Sequence, residues 1–129
     1  MWGVEPLHRR PEFPDCQALM EKSTAIAQAT TTRLFDSTNG NSDGSSRSEE
    51  EWQRDNRMFL SYLADAVWVE KETLFGNHIH WAIGFMASLG VADKTLLHDL
   101  RLLSEETRRA LPGDQAARFV RLIREQVRG

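Results

Sequence analysis

Apolar residues recur along most of the chain at spacings of three and four, the period of helices that turn one face to a core. Cys16, Leu19, Met20, Ile26, Ala27, Leu34 and Phe35 follow this spacing after Pro14, a position where a first helical turn tolerates proline. The pattern predicts a helix over about 14–36, weakened in the middle by the β-branched Thr30, Thr31 and Thr32. Ser48 with Glu51 three residues on reads as a capping box that opens a second helix. There Trp52, Phe59, Leu63 and Ala66 form a stripe, and Met58, Tyr62 and Val69 widen it, which predicts deep burial. A third helix over about 72–89 carries Phe75, Ile79, Ala82, Phe85, Met86 and Leu89 on one face, widened by Leu74 and Trp81. Being the most apolar, it is expected at the centre as the most buried segment. Gly90 is expected to end it in the left-handed region, with Val91 folding back on the last turn. Asp93 is expected to cap a fourth helix striped by Leu96, Leu97, Leu100, Leu103 and Thr107, which Pro112-Gly113 stops. Asp114 is expected to cap a fifth, with Ala116, Phe119, Val120, Ile123 and Val127 inside and Arg118, Arg121 and Arg124 outside. No alternating strand pattern and no solenoid repeat is present, so the fold class is all-α, a bundle of about five main helices.

Two segments break the periodicity. The first thirteen residues hold two of the four prolines and read as an irregular arm. Residues 37–47 are rich in Ser, Gly, Asn and Asp and read as a flexible low-complexity loop that cannot pack a core. A chain of 129 residues has room for a single domain, 1–129, with one core several helices thick.

Composition narrows the function class. The formal net charge is -3, from 16 basic and 19 acidic residues intermixed, which offers no single-sign field to a phosphate backbone and argues against a nucleic-acid partner. No run of about 18 apolar residues could span a bilayer, and the N-terminus has no secretory apolar stretch, so no membrane role and a cytoplasmic location are expected. The lone Cys16 fits a reducing compartment. No glycine-rich phosphate loop, His-Glu-x-x-His, Gly-x-Ser-x-Gly or cysteine pair is found, and the acids fall mostly on solvated helix faces. The expectation is sensing or binding, not an enzyme.

The candidate chemistry lies on the third helix. In Asn77-His78-Ile79-His80-Trp81 the two imidazoles stand about 200° apart around the axis, so they cannot ligate one metal from one face. His78 points toward the apolar stripe, and His80 toward the side of small and polar residues. A histidine on an apolar face is either a hydrogen-bonded core residue or a ligand-binding imidazole. The aromatic set Trp52, Phe59, Tyr62, Phe75, Trp81 and Phe85 likewise either fills a core or lines a site for a flat conjugated molecule. Arg54 and Arg57 are either solvated or placed to hold ligand carboxylates. Cys16 reads as a small buried thiol before it reads as a thioether anchor. His98, near the edge of its stripe, is a poor second axial ligand for haem.

Three segments, RDNRMFLSYLADAV, ETLFGNHIHWAIGFMASLGV and TLLHDLRLLSEETRRALP, together resemble the helical sensory domain often joined to cobalamin-binding domains in bacterial regulators. That group, the photoglobins and photocobilins, has a globin-like fold without haem. The resemblance covers about Arg54 to Pro112 and consists of an Asn-Arg-x-x-x-x-Tyr-Leu helix, a Leu-Phe-(x)5-Trp helix and a Leu-Gly-Val turn. It implies a globin-like bundle that holds a linear tetrapyrrole, a bilin such as biliverdin, and reports light or redox state to another protein chain or a homo-oligomer. The pocket positions it implies are Arg57, Tyr62, Phe75, His78 and Trp81. The sequence departs from the family where His78 stands in place of a common tyrosine and where no cobalamin domain follows Gly129. The alternatives are a ligand-free helical adaptor acting by protein-protein contact, and a haem-binding globin-like protein.

Overall fold

The computed structural model describes residues 13–37 and 47–128. Five helices make up the fold: α1 (Phe13–Ser37), α2 (Glu49–Trp68), α3 (Thr73–Ser88), α4 (Asp93–Ala110) and α5 (Gly113–Arg128), with no strand among the described residues. The all-α class follows from the periodicity, and the predicted limits 14–36 and 72–89 differ by one residue at each end from α1 and α3. Most of the expected arm and loop, positions 1–12 and 38–46, lies outside the described residues. The boundary residues depart from expectation. Phe13 and Ser37 are the first and last residues of α1, and Arg47 is buried in an ion pair with Asp55.

α1 packs against both α2 and α4, α5 packs on α4, and α3 rests mainly on α2. Their shared core is built from Leu19, Leu60, Leu63, Phe75, Leu100 and Ile123, each at most 1 % exposed. Each side chain of this kind contributes roughly 1.5–3 kcal/mol through removal of apolar surface from water. Two of the three threonines expected to weaken α1 instead face this core, Thr30 and Thr31 being at most 1 % exposed, while Thr32 is exposed. Thr30 Oγ1 donates to the Ile26 carbonyl at 2.8 Å, so its hydroxyl is satisfied within its own helix while its methyl packs.

The helix ends explain the chain reversals. Ser48 and Glu51 form the expected capping box: Glu51 N donates to Ser48 Oγ at 3.1 Å and Ser48 N to Glu51 Oε1 at 2.9 Å. α3 ends as predicted, with Gly90 at φ 88°, Val91 N donating to the Met86 carbonyl at 3.0 Å and Gly90 N to the Ala87 carbonyl at 3.0 Å. α2 closes with the same bond pattern, from Lys71 N to Ala66 O and from Glu70 N to Val67 O, although Glu70 holds the positive-φ position at 59°. Asp93 and Asp114 are not caps. Ala92 occupies the cap of α4 and α5 begins one residue before Asp114, so both acids sit inside a first turn, where the helix dipole still favours them.

The expectation for α3 is reversed. It is the edge of the bundle, and Leu74, Trp81, Phe85 and Leu89 are 43–57 % exposed. Only Phe75, His78, Ile79, Ala82 and Met86 are buried, because one helix, α2, supplies most of its cover. The flank of α2 that faces the same way, Met58, Tyr62 and Val69, is also more than 40 % exposed.

Two glycines should respond in opposite directions to alanine. Gly90→Ala should destabilise by about 1 kcal/mol, since a side chain at φ 88° is strained even though open space surrounds it. Gly84→Ala, in the exposed middle of α3 with nothing near the added methyl, should stabilise by about 0.5–1 kcal/mol. Urea midpoints of the two variants check both signs.

Candidate functional site

The short connection after Trp68 sets α2 and α3 side by side and antiparallel, so the start of α2 faces the end of α3. Toward those ends a groove of about 470 Å³ opens between them. Met58 and Phe59 form its α2 wall, and Trp81, Phe85 and Leu89 its α3 wall. Arg47, Glu51, Arg54 and Asp55 surround its polar mouth. A second hollow of about 380 Å³ opens toward the turn, between Tyr62 and Asp65 of α2 and Leu74 and Asn77 of α3. His78 lines both.

Four rings stack in one row along this face. The His78 imidazole lies on the Tyr62 ring with centroids 3.7 Å apart and planes 5° from parallel. Trp81 follows at 5.7 Å and 25°, and Phe85 stacks on Trp81 at 5.0 Å and 9°. Phe59 meets His78 edge-on from beneath, with centroids 5.9 Å apart. The row follows from sequence spacing: His78, Trp81 and Phe85 are one turn apart on α3 and so share a side. His78 is 9 % exposed, and burial lowers its pKa, which favours the neutral imidazole. Its Nε2 is buried without a hydrogen-bond partner among the described residues. His80, on the other side of the helix, is exposed.

Of the predicted pocket positions, Tyr62, His78 and Trp81 come together in this row. Phe75 does not join them. It is 0 % exposed in the bundle core and lines neither hollow. Arg57 is also apart: it is exposed and lines neither hollow, because it sits about 200° around α2 from Phe59. Of Arg54 and Arg57, Arg54 is the one at the groove. Met58, Phe85 and Arg47 complete the site, and the signal for the first two was their spacing of one turn from Arg54 and Trp81. Arg47 had no such signal, since it precedes α2 within a polar run. Cys16 is buried between α1 and α2, with Sγ 3.5 Å from the Ala64 carbonyl, and it lines neither hollow. His98 Nε2 lies 3.0 Å from Ser37 Oγ, at the junction of α1 and α4.

The mouth of the groove is held by an ion pair. Arg47 Nε donates to Asp55 Oδ2 at 2.7 Å, and the two side chains are 8 % and 10 % exposed. Burial raises the pKa of Asp55 more than Arg47 lowers it, so the pair fixes geometry at little net gain. Among the described residues no group of three His, Cys, Asp or Glu side chains gathers to hold a metal ion, and no helix is long and apolar enough to cross a membrane.

The chain matches no known protein family, no curated protein and no solved structure. The chemistry of the site is therefore argued from its own geometry.

A second unusual group lies deeper. Asp99 on α4 is 0 % exposed, and Asn56 Nδ2 donates to its Oδ1 at 3.0 Å and to Thr31 Oγ1 on α1 at 3.1 Å. Asn56 Oδ1 and Asp99 Oδ2 both lack partners among the described residues. Burial pushes the Asp99 carboxyl up to about 8, so it is largely protonated at neutral pH and Oδ2 can be a donor. Asp99 does not line the groove. The folded chain holds this proton between the ordinary value of 3.8 and about 8, where the unfolded chain has released it. The contribution of Asp99 is therefore full below about 3.8 and is lost as pH rises through about 8. Urea midpoints measured across this interval should fall with rising pH in the native protein. Asp99→Asn, which keeps a hydrogen donor without the titration, should flatten that fall and raise the midpoint at alkaline pH.

Proposed function

We propose that this chain is a globin-like sensory module that binds a linear tetrapyrrole in the groove between α2 and α3 and reports its state to another protein chain or a second copy. The observation that carries the reading is the half-exposed ring row beside a buried histidine nitrogen with no partner. A groove of about 470 Å³ is within the roughly 300–1,000 Å³ usual for small-ligand sites. The rims of Trp81 and Phe85 with Met58 offer an extended apolar strip to a flat conjugated body. A bilin carries both pyrrole N–H donors and lactam carbonyl acceptors, so either tautomer of neutral His78 finds its complement. Binding, rather than catalysis, is what such a strip supports. Haem fits less well, because His98 is engaged with Ser37 and, among the described residues, His78 alone brings an imidazole to the groove, which leaves no second axial ligand.

A second reading is a ligand-free adaptor. It is favoured by the 57 % exposure of Trp81 and by the exposed Leu74, Phe85 and Leu89, which a partner helix would cover.

Titration with biliverdin, followed by visible absorption, separates the two. The proposal expects a saturable, stoichiometric coloured complex. His78→Ala should shift or abolish the bound band with the far-ultraviolet circular dichroism unchanged, and His80→Ala should do neither. A chain that stays colourless but elutes as an oligomer, or a His78→Ala variant that loses only stability, favours the adaptor.

A further inference from the structure

We infer that the groove takes an amphipathic acid, with an extended apolar body and a carboxylate held by Arg54. This rests on the ligand-binding reading above and narrows it to a chemical class and an orientation. Several arginines of the fold sit on carboxylates, Arg33 on Glu105 and Glu106, Arg47 on Asp55, Arg109 on Glu106, and Arg118 and Arg121 on Glu72; what sets Arg54 apart from the remaining described arginines is its place in the lining of the groove. Arg54 lines the groove and is exposed, and its charge favours the ionised forms of the neighbouring Glu51 and Asp55.

The two acids that share the groove with Arg54 are already engaged. Asp55 accepts from Arg47 Nε at 2.7 Å, while Glu51 accepts from Ser48 N at 2.9 Å and lies 3.6 Å from Arg47 Nη1. Arg47 is thereby occupied as well, whereas Arg54, which acts on the same two acids through its charge, is exposed at the mouth where a ligand can reach it. The N-terminus of α2 offers no competing anion site: Glu51 N already donates to Ser48 Oγ, and Glu49, Glu50 and Glu51 fill its first turn with negative charge.

Beyond Arg54 the lining turns apolar through Met58, Phe59, Trp81 and Phe85. The α3 wall has no charge to offer, since none of its 16 residues is Asp, Glu, Lys or Arg. A neutral apolar ligand would leave the guanidinium unused, and a ligand charged at both ends would meet uncharged wall at the second. The arrangement suits a body that lies along the ring row toward His78 and a carboxylate that meets Arg54 in a two-pronged, charge-assisted pair.

Biliverdin and its dimethyl ester, titrated into the full chain and followed by absorption, test this directly. The native protein should bind the acid roughly tenfold more tightly than the ester, the worth of one charged hydrogen bond. Arg54→Ala should erase that preference by weakening the acid alone, Arg54→Lys should retain part of it, and Arg57→Ala should retain all of it. Circular dichroism of each variant should be unchanged. Equal binding of both pigments by the native protein, or a preference for the acid that survives Arg54→Ala, overturns the inference while leaving the groove as a ligand site. Should neither pigment bind, the bilin reading fails, and cis-parinaric acid against its methyl ester, read by fluorescence, decides the acid class independently. Failure there to see an acid preference that Arg54→Ala removes overturns it.

Discussion

The arrangement depends on how tightly the chain must turn between α2 and α3. Residues 69–72 are all that separates the helices, and the closing bonds of α2 place Glu70 in a backbone region that L residues enter at a cost of roughly 1–2 kcal/mol. The turn is then pinned from the other side, where Arg118 Nε and Arg121 Nη2 donate to Glu72 Oε2 at 2.8 and 3.0 Å. Those contacts, Arg118 foremost, hold the Glu72 carboxyl below its ordinary range and tie the start of α3 to α5. A helix tethered this closely to α2 cannot swing into the centre of the bundle. Only its Phe75, Ile79, Ala82 and Met86 stripe reaches the core, and the flank that carries Trp81 and Phe85 stays outside.

The bundle buries two neighbouring carboxylates, and it solves the problem differently for each. Asp55 keeps a cation, Arg47, at the wall of the groove, where partial solvent contact makes an ion pair affordable. Asp99, packed among three helices with only an amide beside it, has no cation and is favoured as the neutral acid. Asn56 is the next residue after Asp55 and the direct partner of Asp99. One turn of α2 therefore joins the groove wall to the polar centre of the core, where α1, α2 and α4 meet.

Helix number, limits and most of the end signals were legible because each rests on local chemistry: a capping box, a glycine at positive φ, a stripe with a period of 3.6. What was not legible was which apolar face would find cover. Hydrophobicity says that α3 prefers to be buried, but burial needs neighbours, and the tertiary arrangement supplies mainly one. The same gap separates the two halves of the expected site. Tyr62, His78 and Trp81 share one side because spacing decides that within a helix and the hairpin brings Tyr62 across. Phe75 lies in the core and apart from the ring row, although its direction on α3 and that of His78 differ by less than a quarter turn, because only packing distinguishes core from rim. The resemblance implies Arg57, whereas counting 100° per residue from Phe59 puts Arg57 behind α2 and leaves Arg54 at the groove.

The two readings of this face, ligand site and adaptor surface, make different demands on one atom. Covering the exposed rings requires nothing but apolar area, worth about 25 cal/mol per Å², and either a flat pigment or a partner helix supplies it. His78 Nε2 asks for more. A buried polar atom left unpaired costs about 1–3 kcal/mol, and an apolar partner surface pressed over it would preserve that cost by sealing it from water. An occupant that relieves both must be apolar over the ring row and carry a hydrogen-bonding group at the depth of His78, between the two hollows that imidazole lines. A helix meets that condition only with one polar side chain set among apolar ones at the right turn. A conjugated chain of nitrogen heterocycles meets it at nearly every position along its length, which is the physical ground on which the ligand proposal stands ahead of the adaptor.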